Sequence, residues 1–340
     1  MIATSCISLV CPVGYTPASA AAAMRAGIAV FEELPYRDNS GQPLRGARVE
    51  AVPPETRGRS RIAALARLAV DHIDEKAAAL LPWGEMPFLL CTRDADMPGA
   101  RINGILAGLT APNGAPLAGK RSVHITNGQI SAFVAVEQAR KLLNERNVEA
   151  CLVMAIDSLI DARSLCWLDN RMRLKTSEVT DGLIPGEAAC ILVVSKRPIV
   201  DGSLWLRGLG LAIETATAGN EDPFRADGLS AALKAALAEA GAQMHEVAFR
   251  LSDVAGESYA FEELVLAQVR NMRQPRLEEQ PVWHPASCIG DCGAAAGLIQ
   301  FAWAEQAFKR GYAPGQLAAL HGSSMAFGGR ATAVVTGGRS

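Results

Sequence analysis

Eight cysteines and five histidines make thiol and metal chemistry the first question for this chain. A thiolate beside an imidazole is a nucleophile, and cysteine–histidine clusters at set spacing hold zinc. The spacing here supports neither. Cys6, Cys11, Cys91, Cys151, Cys166 and Cys190 are scattered and mostly flanked by apolar residues. No Cys-x-x-Cys occurs, and the closest pair, Cys288 and Cys292, has no histidine at zinc-finger distance. Disulfide frameworks belong to short, cysteine-dense chains. The pattern reads as reduced, buried thiols of a cytoplasmic protein that binds no metal. His72 lies in a charged helical stretch and reads as solvent-facing. His124, His284 and His321 read as structural, although His124 and His321 sit near strand ends, where a site would gather.

Two turns are better placed to carry a site. Thr126-Asn127-Gly128-Gln129-Ile130-Ser131-Ala132 opens one small-residue helix, and Ser287-Cys288-Ile289-Gly290-Asp291-Cys292-Gly293 opens another. Small residues let such helices pack backbone to backbone in a core. The elements around them alternate. Strands are expected at 2–10, 87–91, 122–125, 150–156 and 188–195, and helices at 17–31, 59–81 and 129–144. A second series follows, with strands at 204–214, 247–253, 317–322 and 330–336 and helices at 228–241, 262–271 and 294–310. The apolar run 150–156 is the pattern of a strand covered on both faces. Two βαβ-like series make the fold class α/β. Pro198, Asp201 and Gly202 mark a boundary near 196–203.

Composition excludes other classes. The formal net charge is −2 over 340 residues, which speaks against a broad nucleic-acid or anionic-membrane footprint. Hydrophobic residues are 49% and charged residues 20%, so disorder is not expected. No apolar run reaches the ~18 residues of a membrane span, and the N-terminus lacks the basic stretch of a signal peptide.

Four strings then converge on one family. DGLIPGEAACILVV (181–194), SCIGDCGAAAG (287–297), AFGGRATAVV (326–335) and VEACLVMAIDSL (148–159) resemble, in order and spacing, signatures of the β-ketoacyl synthases of the thiolase superfamily. The resemblance covers nearly the whole chain. It implies a thiolase-like fold with two pseudo-repeated βαβαβαββ halves, 1–198 and 199–340, in a five-layered α-β-α-β-α arrangement, usually a homodimer, with no cofactor. It also implies a cysteine nucleophile and two histidines. Laid over the family pattern, Gln129 stands at the cysteine position, Asp253 is the best match to the first histidine and Asp291 stands for the second. Glutamine forms no thioester. Phe327 and Gly328 match a loop that serves as a remnant oxyanion-stabilising segment.

The resemblance therefore implies a degenerate site and a non-catalytic role as partner, adaptor or scaffold, without condensing activity. Degenerate ketosynthase-like proteins of this kind are similar to ones found beside secreted-toxin systems of Gram-negative bacteria, type VI secretion clusters among them. The alternative is a chain-length-factor-like or malonyl-thioester-decarboxylating relative with glutamine at the nucleophile position, active in acyl-chain or polyketide synthesis. An acyl-thioester ligand and a homodimer or heterodimer are the expected partners. Asp253 and Asp291 are expected to flank Gln129 in a buried pocket, as an acid/base pair or as filling of a dead one. The closest basic run, Arg171, Arg173 and Lys175, reads as a solvated loop. Metal binding by Asp253, Glu257 and Asp291 follows no recognised motif.

Overall fold

Apolar runs and small-residue helices alternate twice along the chain, and the fold repeats with them. The computed structural model describes all residues except 100, 101, 103, 106, 107, 118–120, 146, 218–222, 325, 339 and 340. The first series comprises β1 (Ile2–Val10), α1 (Pro17–Arg25), β2 (Glu32–Arg37), β3 (Pro43–Gly46), α2 (Gly58–Asp71), α3 (Glu75–Leu80), β4 (Phe88–Cys91) and β5 (Ser122–Ile125), then α4 (Ser131–Leu143), β6 (Ala150–Ser158), α5 (Ala162–Asp169) and β7 (Glu187–Ser195). The second comprises β8 (Leu204–Ile213), α6 (Asp227–Ala240), β9 (Phe249–Ser252), α7 (Ser258–Asn271), β10 (Val282–Trp283), α8 (Ala286–Ile289), α9 (Ala296–Lys309), β11 (Ala318–Ser323) and β12 (Gly329–Gly337).

The sheet order is β10-β9-β11-β12-β8-β1-β7-β6-β4-β5. Read outward from the middle, β1-β7-β6-β4-β5 mirrors β8-β12-β11-β9-β10, strand for strand. The two five-stranded portions meet where β1 pairs antiparallel with β8, at Ile2–Leu206, Ala3–Trp205 and Thr4–Leu204. Helices α4 and α9 lie between them: α4 packs on β4, β6 and β7 and reaches β8 and β12, while α9 packs on β11 and β12 and reaches β1 and β7. Helix α2 covers the outer face of β6 and β7, and α6, backed by α7, covers β8 and β12. The layers therefore run α-β-α-β-α. Every residue of β6 and β7 is buried, because helices press on both faces. The central core joins both portions through Phe133 and Val136 of α4 and Leu298 and Phe301 of α9.

Local chemistry moves some expected boundaries. The helix expected over 59–81 breaks into α2 and α3. Asp74 causes the break: its amide donates to Ile7 O at 2.8 Å, and its side chain caps α3 at Ala77 N. The helix expected over 17–31 stops at Arg25, where Gly27 N and Ile28 N turn back onto Met24 O and Ala23 O. The β2–β3 hairpin and α5 have no counterpart among the expected elements. Among the described residues, no helix is long and apolar enough to cross a membrane.

Candidate functional site

The site forms where the starts of α4 and α9 meet. A short 3-10 turn, Gly128–Ile130, leads into α4, and a second, Gly293–Ala295, leads into α9. Ser131 ties the first turn down: its hydroxyl accepts from Asn127 N at 2.9 Å and donates to Thr92 O at 3.0 Å. The second turn is held through Asp291, whose amide donates to Ile184 O and whose carbonyl accepts from Gly186 N, both at 2.8 Å. The family-like string at 181–194 thus clamps the Asp291 turn. Its Glu187 is structural: fully buried, it pairs with Arg61 at 2.6 Å and accepts from Val49 N and Ser158 Oγ.

These turns bring Gln129, Asp253 and Asp291 to one cavity of about 750 Å³. Gln129 is buried, and its Nε2 donates to Asp291 Oδ2 at 3.1 Å. Asp291 Oδ1 accepts from Gly293 N at 2.7 Å. Asp253 follows β9, and its Oδ2 accepts from Ser323 N at 2.7 Å. Burial pushes Asp253 and Asp291 up to about 7, against the pull of these donors, and the negative charge of Asp291 adds to the rise at Asp253. At Asp291 the negative charges of Glu257 and Asp157 add to the rise.

Two of the cations around the cavity are engaged with acids, and a third lies over an aromatic ring. Arg173 grips Glu257 with two bonds of 2.7 Å. Arg330, buried, pairs with Glu263 at 2.6 Å and donates to Tyr259 Oη at 2.8 Å. Arg171 lies 4.0 Å over the ring of Trp167. The run expected as a solvated loop is thus split. Arg171 and Arg173 line the cavity, while exposed Lys175 bonds Thr180 O. Sequence reasoning missed the Arg173–Glu257 and Arg330–Glu263 pairs. An arginine in the otherwise apolar strand β12 was the available signal, since a buried guanidinium demands a carboxylate.

The remaining candidates lie elsewhere. Gly328 turns its carbonyl to Glu214 N at 2.7 Å and Phe327 is 38% exposed; from that loop Ala326, not these two, lines the cavity. No cysteine or histidine is among the described lining residues. Cys292 is buried in the core, with its thiol against Ile289 O and Gly290 O and its pKa driven far up by desolvation. His124 Nε2 bonds Thr92 Oγ1 at 2.8 Å, and His72 Nδ1 bonds Leu68 O. His321 is buried; its Nδ1 bonds Thr332 Oγ1, its Nε2 has no partner, and desolvation lowers it to about 3. Among the described residues, no group of three or more acidic, histidine or cysteine side chains is arranged to hold a metal.

Chemically, the cavity offers the Gln129 amide beside two buried carboxylates and, among its described lining residues, no thiol or imidazole. The amide nitrogen of Gln129 is delocalised and already spends a proton on Asp291. A developing enolate would meet Asp253 and Asp291, which repel it once ionised.

No family model and no curated protein matches this chain in sequence. Solved structures match it in shape. The ishigamide ketosynthase/chain length factor superposes with a TM-score of 0.71 at 16% identity, over 98% of this chain and 99% of that one. The type II polyketide ketosynthase AntDE, solved with its acyl-carrier protein AntF, gives 0.78 at 13%, over 98% and 99%. The module 6 ketosynthase of the bacillaene synthase from Bacillus subtilis 168 gives 0.77 at 15%, over 99% of this chain and 72% of that one. At these identities the likeness establishes the fold, which is thiolase-like and of the ketosynthase type.

Proposed function

We propose that this chain is a non-condensing subunit of ketosynthase fold that works as the protein partner of an active ketosynthase, in the manner of a chain length factor. The observation that carries this reading is the bond from Gln129 Nε2 to Asp291 Oδ2, at the start of the central helix and on the wall of the cavity. By the resemblance of the strings, these are the positions of the cysteine nucleophile and of one histidine, and here the two side chains hold each other. The length match agrees with a free-standing subunit without separating the two kinds: this chain spans nearly all of the ishigamide ketosynthase/chain length factor and of the AntDE ketosynthase, but about three quarters of the bacillaene module 6 ketosynthase. A ketosynthase is the partner expected because a similar structure is a ketosynthase in complex with its chain length factor, ApeO with ApeC from Xenorhabdus doucetiae, with a TM-score of 0.71 at 13% identity.

The sheet offers a place for it. Strand β5 closes one side of the sheet, residues 122–124 are exposed, and Val123 is 41% exposed. A strand edge with an outward apolar residue is a template for another chain. β5 also runs straight into the turn that carries Gln129, so a partner seated there abuts the site.

Two measurements test the proposal. Pure protein incubated with malonyl and acyl thioesters should show no acyl adduct by intact mass and release no carbon dioxide. Mixed with a ketosynthase from the same organism, it should elute as a one-to-one complex. Turnover that disappears in Gln129→Ala would overturn the non-condensing reading, and failure to form the complex would overturn the partnership.

A further inference from the structure

A second cavity, of about 510 Å³, opens between the start of α2 and the start of α5. Its described walls carry four arginines, Arg57, Arg59, Arg93 and Arg163, against one carboxylate, Asp161. That carboxylate is committed. It caps α5 at Arg163 N and Ser164 N, accepts from Ser164 Oγ and lies 3.7 Å from Arg93. Arg93, 5% exposed, forms the floor, and its charge is matched by Asp157 at 2.7 Å. The positive charge of Arg57 and Arg163 is therefore not matched by the acid of the cleft. The fourteen-residue helix α2 adds to it, because its first turn points into the same space with no side-chain cap. Tyr36 forms a flat wall, with the Arg57 guanidinium 5.7 Å from its ring.

This cleft is separate from the Gln129 cavity. The two share no described lining residue, and Asp157, which pairs with Arg93 on the cleft floor, accepts from Ala294 N through its other oxygen. A concentration of guanidinium groups around an uncapped helix start, in a space this size, fits the oxygens of a phosphoryl group. We propose that the α2–α5 cleft is a binding site for the phosphate or diphosphate group of a small molecule, held by Arg57, Arg163 and the first-turn amides of α2. The source is a free inorganic anion or a phosphate ester.

Calorimetric titration of the full chain with inorganic pyrophosphate and with adenosine 5′-diphosphate, at constant ionic strength and with adenosine as the uncharged control, tests it. Saturable binding of at least one of the two anions is expected, with Kd below about 1 mM. Arg57→Ala and Arg163→Ala should each weaken it about tenfold, the loss of one charge-assisted contact. Both side chains are exposed, so the variants keep the fold. Arg273→Ala, exposed on the other series of elements, should leave binding unchanged. Equal affinity for the two anions assigns the site to the bare phosphoryl group, and tighter diphosphate ester binding assigns it to an ester lying on Tyr36. Absence of saturable binding of either anion up to about 10 mM, or binding that survives both cleft variants, would overturn the proposal. Neither result bears on condensing activity.

Discussion

At the start of α4, the carboxylate pressed against Gly128 is Asp94; at the start of α9, the one pressed against Gly293 is Asp157. The two glycines share a backbone, with φ of +54° and +53°. A Cβ on either would lie within 2.5 Å and 2.2 Å of the respective carboxylate oxygen. What holds the two acids differs. Asp157 takes two bonds from Arg93, one from Ser158 N and one from Ala294 N. Asp94, equally buried, takes the hydroxyl of Ser324 at 3.1 Å and 3.3 Å and is favoured by the Ala326 amide, both neutral donors, and desolvation raises it to about 6. The same turn is thus built once on an ion pair and once on neutral donors. The second kind stands beside Gln129, on the loop that lines the cavity. A fold that repeats its backbone need not repeat its electrostatics: both turns carry a residue of the site, and the one that carries Gln129 is the softer copy.

The comparison breaks most sharply at Arg93. Arg93→Ala leaves Asp157 buried without its cation, and should cost about 4 kcal/mol, read as a fall in urea midpoint at constant slope. If the cost is under about 1 kcal/mol, Asp157 is not locked and the contrast with Asp94 is void. The glycines give the next test. Gly293→Ala drives a methyl into a fixed carboxylate and should cost about 3 kcal/mol, whereas at Gly128→Ala the loosely held Asp94 can shift, for about 2 kcal/mol. The reverse order would show that Asp94 is the more rigid of the two.

Much of this was legible in the sequence, and what was not has physical causes. β4, β6 and β7 could be read because buried strands are near-continuous apolar runs, whereas β1 has hydroxyls among its apolar residues and β5 is exposed over 122–124. The starts of α4 and α9 showed as small-residue turns. Gln129, Asp253 and Asp291 could be named as candidates from their places in the strings, and the structure sets them on one cavity. The break at Asp74 could not be read, because the cap depends on a bond to Ile7, 67 residues earlier in the chain. The string points to Phe327 and Gly328, yet Gly328 turns its carbonyl to Glu214 N and Ala326 is the residue of that loop that lines the cavity. The pairing of Arg173 with Glu257 and of Arg330 with Glu263 spans 84 and 67 residues, so no local pattern encodes it. The arginine cleft has the same origin: Arg57 and Arg163 lie far apart in the chain and line one cavity from the starts of two different helices.

The smallest effect sharpens the comparison furthest, because it depends on pH. The folded value of Asp94, about 6, lies above its ordinary 3.8. Between these values the folded protein binds more protons than the unfolded chain, so this group's contribution is complete below about pH 4 and is lost as pH rises through about 6. Asp253 and Asp291, raised to about 7, and Glu305, raised to about 8, slope the same way. His321, lowered to about 3, slopes the other way, since its neutral form is favoured above that value and its contribution falls off below pH 6.5. The total curve therefore mixes several groups, and the difference between wild type and Asp94→Asn isolates one. The asparagine side chain of that variant keeps an oxygen for the Ser324 hydroxyl and carries no charge. The variant should gain on the wild type by about 2 kcal/mol between pH 4.5 and pH 8, measured by urea unfolding at each pH. Ser324→Ala should act in the opposite sense. It removes the donor that favours the charged form, so its cost of about 1 kcal/mol should be felt at pH 8 and shrink at pH 4.5. A flat difference in both variants would mean that Asp94 is held as firmly as Asp157, and that the asymmetry between the two turns has no energetic content.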